Sequence, residues 1–278
     1  MSLTVPLADG LVLRIGHPED DARAYPTTKL QKGLLLSVDG RDVAEEGIGF
    51  GVPVLARGYG TVFPGGLEIE CRRDDPLWEV TARYRLDLVE RLARPNGGQV
   101  QSRTLYAAKD ALAGLHRRAP RLRGALTAIS SWLRAAFGWE TTYVAADFSA
   151  DLTVTSTIHT DTGTIDVTVD LPDLAARGVT AVVVMNEQGA RHFAQEREAD
   201  GSVRRGGRVG TWDEVAAASA GFVCPSPTAS FWLDQAPGAR LYRGRELVGT
   251  RLSWAGFGYA FPPTLRRFTY SVRIARTS

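Results

Sequence analysis

The side chains best suited to chemistry in this chain are a few acids, imidazoles and aromatic rings. Residues 186–192 read Asn-Glu-Gln-Gly-Ala-Arg-His, so a carboxylate, a guanidinium and an imidazole (Glu187, Arg191, His192) follow Asn186 in close succession. Such a set can shuttle protons and hold an anion. A second imidazole, His159, stands two residues before Asp161, where a carboxylate could orient it as a base. Glu45 and Glu46 add adjacent carboxylates, and glycosidic chemistry commonly uses a pair. Trp254, Phe257 and Tyr259 alternate past small residues and offer rings on which a sugar could stack. On this basis Glu187, His159, His192 and Glu46 are the candidate catalytic groups. Asn186, Arg191, Trp254 and Tyr259 are the candidate substrate contacts. Each also has a plainer reading: a solvated turn histidine, loop charges in water, a ladder of core aromatics. There is no HExxH, GxSxG or Walker sequence, so neither a metal nor a cofactor is expected.

Strands must position these groups. Asp9-Gly10 and Asp39-Gly40 each interrupt apolar alternation, and Asp-Gly tolerates the positive φ of a tight hairpin turn. Residues 152–159 and 164–171 alternate apolar with Thr, Asp and His around a turn at 161–163, as a half-buried antiparallel hairpin does. Residues 181–185 form the longest apolar run and suit a buried strand that delivers Glu187 to a sheet end. In 47–53 three glycines alternate with apolar residues. They leave one strand face bare, against which another backbone, a ring or a ligand can lie. Thr211 and Glu214 have capping-box spacing and predict a short helix to about Ser219.

Residues 102–137 differ from the rest. Arg103, Lys109, Arg117, Arg118, Arg121, Arg123 and Arg134 face one acid, Asp110, in a chain whose net charge is +2. Pro120 fits the first turn of a second helix. Leu105, Ala108, Leu112 and Leu115 share one helical face, and Leu122, Leu126, Ile129, Leu133 and Phe137 another. The expectation is an amphipathic helical hairpin with its arginines outward, serving as a flank, a lid, a partner-docking surface or a membrane-surface helix to which Trp132 and Trp139 would add interfacial aromatics.

Of 33 basic residues only Lys29, Lys32 and Lys109 are lysines, so arginine content by itself carries little meaning. No nucleic-acid module or interleaving of aromatics with basic residues is present, and nucleic acid is not an expected partner. Cys71 and Cys224 have no metal-ligand spacing and read as two buried free thiols. There is no secretory signal pattern and no apolar run near the ~20 residues of a membrane span, so a cytoplasmic, soluble protein is expected.

The sum is a mainly β chain: a large antiparallel β-sandwich, supersandwich-like, over residues 1–278 as a single large β domain. The helical hairpin is inserted at 102–137, with a candidate sub-boundary near 140–150. In size and strand density it resembles the β-supersandwich architecture of galactose mutarotases and some polysaccharide lyases. That resemblance is architectural; the mutarotase catalytic motifs are missing, and no residue is carried over. Three classes of function follow. One is an enzyme acting on a carbohydrate or polar metabolite through acid–base residues in a sandwich cleft, with a relative whose β cavity takes an apolar ligand. Another is a ligand-binding sandwich without catalysis. The third is an interaction protein docking a partner through the basic hairpin.

Overall fold

Apolar–polar alternation becomes strand nearly everywhere it occurs. The computed structural model describes residues 3–15, 30–58, 60–93, 140–205, 212–248 and 252–276. Its strands begin with β1 (Leu3–Pro6), β2 (Leu11–Ile15), β3 (Leu34–Val38), β4 (Arg41–Asp42), β5 (Gly49–Arg57) and β6 (Gly60–Asp74). Two long strands follow, β7 (Leu77–Ala93) and β8 (Glu140–His159), then β9 (Thr164–Asp170), β10 (Val179–Gln188), β11 (Gln195–Glu198) and β12 (Val203–Arg205). The last group is β13 (Asp213–Glu214), β14 (Ser219–Pro225), β15 (Thr228–Asp234), β16 (Arg240–Val248), β17 (Leu252–Phe261) and β18 (Arg267–Ala275).

Every pairing is antiparallel. The hydrogen-bonded path runs β14–β15–β18–β9–β8–β7–β6–β5–β10–β17–β16, with β3 also joining β5. This single sheet curls until its two halves face each other. Tyr270 on β18 donates its hydroxyl across the interior to Asn186 on β10 at 2.9 Å. Between the halves lie Phe50, Phe222, Phe231 and Phe257, in ring contact at 5.0–5.9 Å. In β18, Phe268, Tyr270, Val272 and Ile274 are buried in strict alternation. Each such side chain contributes roughly 1.5–3 kcal/mol of burial. The enclosed space beside Gly51, Tyr84 and Ser156 is about 10 Å³, room for no more than a water, so that part of the interior is packed core.

Several expectations are corrected. The chain forms one curled antiparallel sheet rather than a two-layer sandwich carrying a helical hairpin, and no helical hairpin is present among the described residues. The span 102–137, on which the hairpin was expected, lies outside them, bracketed by Ala93 and Glu140 at the far end of the β7–β8 ribbon. The helix expected from Thr211 to Ser219 does not form. Asp213 and Glu214 are extended and pair with Arg243 and Tyr242, and Ser219 opens β14; a tertiary ladder outweighs a local capping signal. Both cysteines are free, but only Cys224 is buried and Cys71 is exposed. The expected hairpins at Asp9-Gly10 and Asp39-Gly40 are present, with all four residues at positive φ. Among the described residues no helix is long and apolar enough to cross a membrane.

Candidate functional site

Side chains alternate across a strand, so Asn186 and Gln188 point into the interior while Glu187 points to the outer face of β10. Glu187 pairs with Gly49 on β5 and with Gly256 on β17, and Gly256 pairs with Gly244 on β16. Across four neighbouring strands Glu187 is thus the one side chain in its row. Close backbone approach explains two of the glycines. A Cβ on Gly256 would lie 2.1 Å from the Asn186 carbonyl oxygen, and one on Gly49 would lie 2.8 Å from the Gly33 carbonyl carbon. Gly49 also has a φ of +91°, a value L side chains rarely adopt.

The Glu187 carboxyl is buried and accepts the Ile48 N–H at 3.5 Å. Desolvation raises its pKa from 4.5 to about 7; the Ile48 amide opposes the rise and the nearby Glu246 charge adds to it. A carboxyl so placed exchanges protons near neutrality. Glu246 pairs with Trp254 in the adjacent row of the same face, and Trp254 stacks on Trp212 at 5.0 Å with 18° between ring planes. Both half-buried indoles sit low because Gly244 has no side chain: a Cβ there would be 3.0 Å from each ring. Tyr143 on β8 feels the charge of Glu187, and burial together with Glu90 and Glu187 holds its phenol protonated.

A second cluster adjoins the first at the strand ends. Gly47 rests on Gln188, where a Cβ would come 2.8 Å from Cα, and Gly189 rests against the Glu45 side chain. Residues 45–47 are therefore seated on 187–189. Glu45 holds a φ of 47°, a strained backbone for a residue other than glycine. Its Oε1 lies 3.4 Å from Arg191 Nη1 and 3.5 Å from His192 Nε2, and its Oε2 accepts the Ser253 hydroxyl. Ser253 Oγ in turn accepts the Arg191 N–H at 3.2 Å. Glu46 is buried and accepts the Ser253 N–H at 2.8 Å, while its Oε1 has no hydrogen-bond partner among the described residues. Burial raises Glu46 above the usual carboxylate range, and Ser253, Arg191 and Lys32 restrain the rise.

This cluster is not a nucleophilic triad. There the imidazole bridges hydroxyl and acid; here the Glu45 carboxylate bridges Ser253 and His192, so the imidazole does not face the hydroxyl. The arrangement ties residues 45–46 to 191–192 and 253 at the strand ends.

The structure thus gathers Glu46, Arg191 and His192 with Glu45 and Ser253, and sets Glu187 beside them. Trp254 shares the outer face with Glu187. Asn186 and Tyr259 lie on the opposite, interior face and do not line this site. Asn186 Oδ1 accepts from Gly51 N and Tyr270 Oη, and the Tyr259 hydroxyl donates to the Asp234 carbonyl. His159 lies elsewhere, on β8 between Leu77 and Thr164. Its partner at 2.9 Å is Asp166, not the expected Asp161, and Asp166 also accepts from Ser271. Sequence reasoning missed Ser253, Trp212, Tyr143 and Glu246. Gly244 and Gly256, which bare the face beside Glu246, were the available signal. Among the described residues no group of three or more His, Cys, Asp or Glu is arranged to hold a metal ion.

No family profile matches this chain, and no curated protein matches it. Solved structures do. The α-N-acetylgalactosaminidase of Bifidobacterium bifidum, in complex with Gal-NHAc-DNJ, aligns over 99% of this chain with a TM-score of 0.51 and 11% identity. The likeness is one of fold. Its ligand-free form gives 0.49 at 10% identity, and an α-mannosidase from Enterococcus faecalis gives 0.42 at 8% identity over the whole of this chain. The alignments take in only 36% and 30% of those glycosidase chains, so this chain spans about a third of their length.

Proposed function

We propose that this chain binds a carbohydrate on the outer face of β10, β17 and β16 and acts on it by acid–base catalysis, with Glu187 carrying the proton. One observation bears most of the weight. Glu187 stands alone in a row of glycines, with a pKa of about 7, on the same face as the Trp254–Trp212 stack. Aromatic faces receive the apolar side of a sugar ring, and a carboxyl poised near neutrality can give or take a hydroxyl proton. The fold likeness to part of a glycosidase crystallised with Gal-NHAc-DNJ supports the same substrate class. Glu45, Arg191, His192 and Ser253 brace the segment from which Glu187 projects.

The test is a panel of free sugars and short oligosaccharides, including N-acetylgalactosamine, galactose and mannose, followed by NMR for both binding and chemical change. Glu187→Gln should keep the binding and slow turnover by about 100-fold or more. Wild-type turnover in that variant removes Glu187 from the chemistry. Binding with no turnover even in the native protein makes this a ligand-binding domain without catalysis. Failure of every sugar to bind ends the carbohydrate reading.

A further inference from the structure

The curled sheet has two ends. One is β14–β11–β12 and the other is β17–β16–β13, and no ladder joins them among the described residues. Buried charge joins them instead. Arg243 on β16 lies opposite Phe257 and so faces the interior. Its guanidinium reaches across to β11, with Nε 3.5 Å from Glu196 Oε2 and Nη1 2.5 Å from Glu198 Oε1. Arg245, on the same face, donates to the Ala190 carbonyl at 2.7 Å and the Phe193 carbonyl at 3.4 Å, just ahead of β11. Arg243, Arg245 and Glu196 are all buried. Burial draws Arg245 below its ordinary pKa, and the charge of Glu196 opposes that shift. Asp213 stands opposite Arg243 in the β13 ladder, at the exposed margin of the cluster.

Apolar burial does not hold the β11–β12 hairpin. Between Phe193 and Val215 no described residue belongs to the hydrophobic core, and Val203 on β12 is 55% exposed. The inward positions of β11 carry Glu196 and Glu198, opposite Phe222 and Ala220 in the β14 ladder. Segments with few apolar contacts open at low free-energy cost, well before the fold is lost. A buried ion pair holds while it is complete, but removing one member leaves the other desolvated and unbalanced. We infer that the β11–β12 hairpin is a flap that opens as a unit from a sheet that stays folded, and that Arg243 is its latch. Opening uncovers the β14 edge from Ala220 to Val223 and brings water to the Phe193, Phe231 and Phe222 rings behind it.

Hydrogen exchange of backbone amides at neutral pH, read strand by strand on the whole protein, tests this. In the native protein the ladder amides of β11 should exchange at least about 100-fold faster than those of β9 and β18. Arg243→Met should speed β11 by a further factor of about 100, or until its rates are those of an unstructured chain. In that variant β9 and β18 should remain protected by about 10,000-fold or more. The paired variant Arg243→Met, Glu198→Met removes the stranded acid as well, and should restore at least about 10-fold of the protection lost at β11. Equal exchange of β11, β9 and β18 in the native protein overturns the inference, because the hairpin then opens only with the fold. An unchanged β11 rate in Arg243→Met overturns it too, as does a loss of protection over the whole sheet at once, which makes Arg243 a support of the fold and not a latch. If the paired variant recovers no protection, the ion pair is not what holds the flap.

Discussion

Replacing Glu187 by glutamine should make the protein more stable at alkaline pH and leave it nearly unchanged at pH 4. The sign follows from proton linkage. In the unfolded chain the carboxyl ionises near 4.5, and in the folded protein near 7. Between these values the folded state holds the extra proton, so raising the pH draws the equilibrium toward the unfolded state. The penalty is absent below about pH 4.5, grows through pH 5 to 7 and levels off above about pH 8. Its full size is about 3 kcal/mol, taking about 1.36 kcal/mol for each tenfold change in proton affinity. Glutamine mimics the protonated form, and its carbonyl can still accept the Ile48 N–H. Urea unfolding of both proteins from pH 4 to pH 9 isolates this group and its electrostatic neighbours, because the titrations its charge does not reach are common to the pair. The expected curve of the difference is flat at low pH and rises to a plateau of about 2–3 kcal/mol in favour of the glutamine variant. A difference independent of pH, or one favouring the native glutamate at pH 8, refutes both the burial argument and the placement of Glu187 as a neutral-pH acid.

Gly256→Ala would set a methyl group 2.1 Å from the Asn186 carbonyl oxygen, and should cost about 2–4 kcal/mol by thermal unfolding; a loss under about 0.5 kcal/mol contradicts the tight β10–β17 approach. Asn186→Leu should destabilise by about 2–4 kcal/mol, because the Gly51 N–H and Tyr270 O–H lose their shared acceptor in the core. Adding Tyr270→Phe should recover part of that loss, which a purely steric effect would not allow. His159→Ala breaks a surface pair with Asp166, and should change stability by less than about 1 kcal/mol and sugar binding not at all. Impaired binding in that variant places the site on the wrong part of the sheet.

How much of this was legible depends on which interactions are local. The Asp-Gly hairpins, the Thr-rich ribbon and the apolar run ending at Glu187 follow from turn chemistry and period-two alternation, and they appear where those rules put them. Parity held more than was drawn from it. Asn186 and Glu187 are adjacent and must point to opposite faces, and so must Trp254 and Tyr259, an odd number apart. Neither pair could serve one site together. The glycines at 47 and 49 leave room for another backbone, a ring or a ligand, and the structure fills it with the backbones of Gln188 and Gly33. What the sequence could not disclose is which distant strands meet. Ser253 joins Glu45 across 208 positions, and Asp213–Glu214 gives up a helix signal for a ladder with β16. Partnerships at such separations follow from the closing of the whole sheet.

The stacked tryptophans have a practical use. Two indoles stacked 5.0 Å apart with nearly parallel planes share their electronic transitions. Such a pair gives a coupled band in ultraviolet circular dichroism that neither ring gives alone. A molecule settling on Trp254, or a substitution at Gly244 that lifts either ring, must alter that coupling. The protein therefore carries an intrinsic optical signal at the face where recognition is proposed, readable in solution without a label and before any substrate is known.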